Sequence, residues 1–220
     1  MEQIKLNIIK RTETLFLRYG LRSVTMDDIA RELGISKKTL YQYFDNKVAL
    51  IEAVMRQNLD DEQNTIQDIK KNATDALDEM LKIAQYVISQ LNRVTPVVLF
   101  DLQKYHRESW DFFEKTNNET IYRHIRTNLE RGITEGVYRN DLNTDIVAKL
   151  YVSKTACILD EHIFPAQVYD KSNLFKEYMT YHMNGILSAC GQSLWKAHFK
   201  LIIKTICIII NFNILKIFCC

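Results

Sequence analysis

Hydrophobic residues recur at helical spacing along almost the whole chain, and no stretch through residue 193 shows the alternation of a strand. Ile8, Ile9, Thr12, Leu15, Phe16 and Tyr19 share one helical face, and Gly20 follows where a C-cap is expected. Thr25 with Asp28 three positions on is the acidic variant of a capping box. It opens a short helix with Ile29, Ala30 and Leu33 on its apolar face, which Gly34 ends. Ser36 starts a third helix carrying Leu40, Tyr41 and Phe44, and Asp45-Asn46 breaks it. Leu50, Ile51, Val54, Met55 and Leu59 mark a longer helix running past Ile66 and Ile69.

The remaining pattern is also helical. Leu77, Met80, Leu81, Ala84, Val87, Ile88 and Leu91 form an i, i+3, i+4, i+7 stripe. Pro96 marks a boundary before the short apolar segment 97–102. A long helix is expected from about Trp110 to Gly136, with Ile121, Ile125, Leu129 and Ile133 on one face. Asn143 or Thr144 caps a helix through Ile158, and Ser172 caps another through Ile186.

Composition agrees with this pattern. Only 6 Gly and 2 Pro in 220 residues leave too few breakers for a turn-rich β-sandwich or barrel. The 47% apolar and 25% charged residues are ordinary for a globular chain and exclude a collagen-like or acidic disordered one. The N-terminus has no apolar run of signal-peptide length, because Glu2, Lys5, Lys10 and Glu13 interrupt it. Cys157 and Cys190 have no metal-ligand spacing, so two reduced thiols in a cytoplasmic protein are expected.

The second and third helices are separated only by Gly34-Ile35-Ser36. Two amphipathic helices across a tight turn containing Gly form the helix-turn-helix pattern. Ile35 plugs the angle between them and Ser36 caps the second.

The run from Thr25 to Lys47, TMDDIARELGISKKTLYQYFDNK, closely resembles the DNA-binding domain of the TetR family of bacterial transcriptional regulators. It fits T-x-x-x-I-A-x-x-x-G-[VI]-S-x-x-T-L-Y-x-[YH]-F-x-x-K without a gap, with Leu50 three residues later. A weaker likeness is Gly132-Ile133-Thr134-Glu135-Gly136-Val137-Tyr138-Arg139, which looks like the G-x-x-x-G-x-[FY]-R end of a long helix in the family's ligand-binding domain. One departure is Lys38, where many members have Gly; on an exposed helix it adds a phosphate contact.

The resemblance implies an all-α fold. An N-terminal three-helix helix-turn-helix DNA-binding domain, 1–47, precedes a helical effector-binding and dimerisation domain, 48–193. It also implies roles. Thr25 and Ser36 are helix caps that also bond phosphates. Lys37, Thr39 and Tyr43 are base-edge candidates in the major groove, Tyr41 and Lys47 are backbone contacts, and Gln42 reaches either. Leu40 and Phe44 are core. Residues 34–47 carry three lysines against one Asp, a modest charge, so specific binding calls for two heads on a roughly palindromic operator. The expected partners are therefore duplex DNA, a second copy of the chain and a small-molecule effector, with no cofactor, no metal and no membrane.

For the regulatory half the family implies that the last two helices pair with their symmetry mates. That makes Ile146, Leu150, Tyr178 and Ile186 interface candidates, with intrachain core as the equal alternative. Aromatic residues are dense from Phe100 to Tyr122, and Phe100, Tyr105, His106, Trp110, Phe113 and Tyr122 are candidates for an effector pocket, with plain core packing as the alternative. The expected function is a ligand-responsive repressor released by a small apolar or aromatic effector. The alternatives are an activator of the same fold or a helical lipid-associated protein. An enzyme is not expected, since G-x-S-x-G, HExxH and Gly-rich phosphate loops are absent.

The last segment, 194–220, differs in kind. It holds Lys196, Lys200, Lys204 and Lys216 and no acid, so residues 1–193 are net −2 although the chain is net +2. Phe199–Phe218 contains eight isoleucines, yet its lysines and asparagines interrupt any bilayer span. Its Ile, Lys, Asn and Phe bias is that of out-of-frame translation of AT-rich DNA, so this tail is expected not to be native regulator sequence. An amphipathic surface helix is the alternative.

Overall fold

A computed structural model of the chain describes residues 2–196; the expected non-native tail falls almost wholly on residues 197–220, outside the described residues. The helices are α1 (Glu2–Tyr19), α2 (Met26–Leu33), α3 (Lys37–Tyr43), α4 (Lys47–Asn72), α5 (Ala76–Leu91), α6 (Pro96–Tyr105), α7 (Arg107–Thr134), α8 (Thr144–Ile158) and α9 (Lys171–Ile186). A further helical stretch covers 189–196. Among the described residues the extended pairing is one isolated bridge, Tyr138 with Leu187. No described helix is long and apolar enough to cross a membrane.

Local chemistry sets most boundaries. Thr25, Ser36, Asn46, Asp75, Asn143 and Asp170 each accept a bond from a backbone N–H of the helix that follows, satisfying donors that have no partner inside it. Pro96 opens α6, where its missing N–H costs nothing. Ser172, expected as a cap, instead sits inside α9. It is buried and its hydroxyl bonds the Asn92 amide oxygen at 2.6 Å, so Asp170 takes the cap.

Two apolar cores result. The first joins α1 to α4 through Ile8, Phe16, Ile29, Leu40, Phe44, Leu50 and Ile51, and also takes in Val98 and Leu102 of α6 and Trp110 of α7. The second joins α5, α7, α8 and α9 through Leu77, Met80, Leu129, Tyr151, Phe175 and Met183. Half of α4 and the head of α7 therefore share the core of the N-terminal helices.

A polar knot locks the second core. The Tyr138 hydroxyl donates toward the Ala76 carbonyl (3.0 Å) and the Asn128 side-chain oxygen (2.9 Å), and Asn128 also donates to Ala76. The Glu135 carboxylate accepts from the Ala76 N–H at 2.7 Å, and Arg131 pairs with Glu79 and Glu135. Tyr138 lies so tightly on Gly132 that a Cβ there would sit 2.1 Å from its ring. The G-x-x-x-G-x-[FY]-R segment is thus a packing device: one glycine admits the tyrosine ring and Gly136, at φ 74°, turns the chain back.

Between α8 and α9 the rings of Tyr151, Tyr178 and His182 cluster, with His182 5.0 Å from Tyr151. The His182 Nε2 is buried without a partner. Burial holds its pKa down to about 4 and pushes both tyrosines up.

Two outcomes follow from this packing. Gly132→Ala is expected to destabilise the fold by about 1–3 kcal/mol in urea unfolding through overpacking against Tyr138. His182 binds fewer protons folded than unfolded, so its contribution is complete above about pH 6.5 and is lost as pH falls toward about 4. His182→Leu should remove up to about 3 kcal/mol of that acid-side loss, read as the difference between the two proteins' urea midpoints across this range.

Candidate nucleic-acid interface

The α2–turn–α3 unit is capped on both sides. The Thr25 hydroxyl accepts from the Asp28 N–H (3.2 Å), and the Asp28 carboxylate accepts from the Thr25 N–H (3.0 Å) and hydroxyl (2.6 Å). Those bonds hold the Asp28 carboxyl below its ordinary pKa. Gly34 adopts φ 65°, ψ 28°, a left-handed conformation that side-chain-bearing residues rarely take, and this turns the chain between the helices. Ser36 accepts from the Thr39 N–H at 3.0 Å, and the two hydroxyls lie 2.8 Å apart.

On α3, Leu40 is fully buried and Phe44, the residue just after it, nearly so, which fixes the helix's rotation. Lys37, Lys38, Tyr41 and Gln42 then face outward, with Ser36 beside them. The i, i+1, i+4, i+5 spacing puts two ammonium groups, a phenol and a carboxamide on one convex strip. Thr39 is half-buried under its bond to Ser36, and Tyr43 packs partly on the N-terminal core. Lys37 forms an ion pair with Asp27 at 2.8 Å, and that bond raises its pKa. Both side chains are more than half exposed, so water screens the pair and it competes little with a phosphate.

Lys47 differs from its expected role. It is half-buried, and its ammonium donates to the Leu21 carbonyl in the α1–α2 turn. Burial lowers its pKa, against the raising effect of Asp101 and Asp28. The expected backbone contact is therefore engaged within the chain, because its side chain reaches a carbonyl left open where α1 ends.

The same turn is gripped from the other side. Asp101 on α6, only 5% exposed, accepts from the Arg22 backbone N–H at 3.0 Å. Arg22 in turn stacks over Tyr105, 5.1 Å to the ring centroid, and donates to its hydroxyl at 3.1 Å. His106, at the break between α6 and α7, has its pKa lowered by burial and by Lys47. Asp101 is a functional candidate that the pattern of the sequence did not single out; a lone carboxylate inside the apolar run 97–102 was its only signal.

The six aromatic-pocket candidates do not form one pocket. Phe100 and Tyr105 are exposed on α6, edge to face at 6.3 Å with Lys104 over both. His106 lies at the joint, and Trp110 is buried in the N-terminal core. Phe113, 6.0 Å from Trp110, lines a cleft of about 240 Å³ between α4 and α7. Tyr122 lies three turns on, about 18 Å from Trp110 along the helix, where its hydroxyl donates to Asp145 at 2.6 Å. The break at His106 and the length of α7 separate residues that are dense in sequence. Of the interface candidates, Ile146 and Leu150 are exposed on α8 at 53% and 54%. Ile186 is buried in the second core, and Tyr178 packs against it.

Residues 8–54 match the family model of the tetR family of bacterial regulatory proteins. The chain is 26% identical over 189 residues to the HTH-type transcriptional repressor KstR2 of Mycolicibacterium smegmatis, covering 84% of this chain and 91% of that one. It shares its fold with the ketosteroid transcriptional regulator KstR2 of Mycobacterium tuberculosis (TM-score 0.56, 21% identity, 84% and 95% coverage). It also shares it with the fatty acid degradation regulator FadR of Bacillus halodurans (TM-score 0.61, 18% identity, 82% and 95% coverage).

Asp101→Ala leaves the Arg22 backbone amide without its charged acceptor. It is expected to cost about 1–3 kcal/mol in urea unfolding and to speed proteolytic cleavage in the α1–α2 turn, while Asp101→Asn, which keeps an acceptor oxygen, loses less on both readouts.

Proposed function

We propose that this chain, which belongs to the TetR family of bacterial transcriptional regulators, is a ligand-responsive homodimeric repressor reading a palindromic operator. The observation that carries this is the outward strip of Lys37, Lys38, Tyr41 and Gln42 on a helix whose rotation is set by buried Leu40. In a helix-turn-helix protein that helix enters the major groove, where phosphate contacts set register and base contacts set sequence. Lys37 and Lys38 take the phosphates or a guanine edge, Gln42 an adenine edge, and Tyr41 the backbone. Thr25, Ser36, Thr39 and Tyr43 border the strip; the first two add phosphate contacts and the others orient the helix. Lys47 acts from inside, holding the α1–α2 turn.

Dimerisation is assigned to α8 and α9. Ile146, Leu150 and, on α9, Tyr181 leave apolar surface in water on the outer faces of these helices. The domain division at residue 47 is retained as a functional one, head against body, although the N-terminal core crosses it.

The effector is assigned to the space between α4 and α7, and an apolar one suits the Met55, Leu59, Phe112 and Phe113 lining. The relatives named for ketosteroid and fatty acid regulation support an apolar class. A ligand that prefers one spacing of the two heads shifts the dimer toward it. Asp101 and Lys47 make α6 and α4 the two elements through which that preference reaches the turn.

The test is a gel shift on the gene's own upstream region at several salt concentrations. A sequence-selective, salt-sensitive shift is expected. Lys37→Ala and Lys38→Ala should weaken binding and reduce the salt slope by about 0.9 for each phosphate no longer neutralised. Gln42→Ala should cost about 1–3 kcal/mol and relax preference at one base pair per half-site. A shift indifferent to salt and to all three substitutions would remove the reading.

A further inference from the structure

Most large apolar side chains that stand in water belong to the DNA-facing strip (Tyr41), to the α4–α7 cleft (Phe112) or to the outer faces of α8 and α9 (Ile146, Leu150, Tyr181). Apart from single residues, two groups are left. The first lies on α6 and the α1–α2 turn. Val97, Phe100 and Lys104 follow i, i+3, i+7 and form one outward row on α6. Val97 lies against Gly20, where a Cβ would sit 3.0 Å from it, and Tyr19 just before that glycine is also exposed.

Each cation of this patch lies over a ring. The Lys104 ammonium is 4.9 Å from the Phe100 centroid and 5.4 Å from that of Tyr105. The Arg22 guanidinium is 5.1 Å from Tyr105, and that of Arg18 is 5.0 Å from Tyr19. Among the described residues none of these three cations makes an ion pair. The carboxylate beneath them, Asp101, is buried and held by the Arg22 N–H. The surface is therefore apolar, aromatic and cationic, and tyrosine, phenylalanine and arginine are the residues that protein interfaces favour.

The second group lies on the loop between α8 and α9. Ile163, Val168 and Tyr169 are exposed there, Val168 at 72%. The same segment carries Asp160, Glu161 and Asp170 against Lys171, a net charge of −2. Its shape is set by its own bonds. Glu161 pairs with Lys171 at 3.0 Å and accepts from the Ala166 N–H at 2.8 Å. Lys171 also donates to the Phe164 carbonyl at 2.6 Å, and the rings of Phe164 and Tyr169 meet edge to face at 5.4 Å. A loop ordered in advance loses little conformational freedom on docking.

We propose that this acidic loop of a second copy docks on the basic aromatic patch of α6 and the α1–α2 turn, so that one regulator dimer links to the next. The two surfaces are alike in apolar character and opposite in charge, three unpaired cations against a net −2. Because they are different surfaces, the contact is heterologous and does not close on a two-fold axis. Each dimer offers two patches and two loops, so dimers join in series and neighbouring operator sites fill cooperatively. The inference rests on the reading of the chain as a homodimeric regulator for the size of the linked unit, and the contact itself lies outside the surfaces that reading uses.

The test is sedimentation of the full chain over a wide range of concentration at low and high salt. The parent is expected to assemble beyond the dimer at low salt and less so at high salt. A patch variant, Phe100→Ser with Lys104→Glu, and a loop variant, Ile163→Ser with Val168→Ser, should each weaken this association by about tenfold or more. Mixed in equal amounts, the two variants should associate again, because one keeps the loop and the other keeps the patch. All four positions are exposed, so melting temperatures close to the parent's are expected and show that the variants fold. Lys104→Glu alone and Val168→Ser alone are milder versions with the same expected direction. A parent that never exceeds the dimer, association that survives in either double variant alone, or a mixture that fails to associate would overturn the proposal. Variants that sediment alone as monomers count against the dimer and not against the contact, since the mixture still pairs one patch with one loop. The gel shift on a single operator should be unchanged in both variants, so its failure belongs to the DNA-binding reading.

Discussion

The buried carboxylate of Asp101 holds the turn on which the DNA-facing surface depends. It lies on α6, yet its acceptor oxygen serves the backbone of Arg22, between α1 and α2. Lys47 grips the neighbouring carbonyl of Leu21 from the start of α4. With both bonds made, α1, α4 and α6 meet at one short turn, and Val98, Leu102 and Trp110 close the apolar core around it. The orientation of α3 then follows, because Leu40 and Phe44 are rooted in that core. The strip of Lys37, Lys38, Tyr41 and Gln42 is therefore tied to α6 and α4 through one core.

The second core is held together by a polar knot of its own. The knot of Asn128, Tyr138, Glu135 and Ala76 ties the end of α7 to the start of α5, and Arg131 and Glu79 surround it with paired charge. Asn128, Tyr138 and Ala76 are buried and satisfied within it, so opening it exposes several unpaired groups at once. By contrast, the region between the two cores, along α4 from Met55 to Ile66, mixes half-buried apolar groups with a carboxylate that has no partner.

Legibility followed the range of the interactions. The capping box at Thr25 and Asp28, the left-handed Gly34 and the cap at Ser36 involve residues at most three or four positions apart, so the sequence pattern suffices to place them. The aromatic pocket failed for the opposite reason. Phe100, Tyr105, Trp110 and Tyr122 are near in sequence, but a helix break at His106 and the rise along α7 carry them to different places. Ser172 lost its expected cap to Asp170 because Asn92, eighty residues away, claims its hydroxyl. Ile186 was ambiguous from spacing alone, since an apolar helix position looks the same whether its own chain or another covers it; here its own chain does.

By itself the sequence determined an all-α chain with a helix-turn-helix at its N-terminus, because breakers, caps and 3.6-residue periodicity act locally and carry their meaning in the order of residues. Only the tertiary structure decided that Lys47 points inward and that Asp101 is the joint. Each of those facts depends on which group from a distant segment lies within a few ångströms. Burial, hydrogen bonding and charge balance at a site are set by that distance and not by position along the chain.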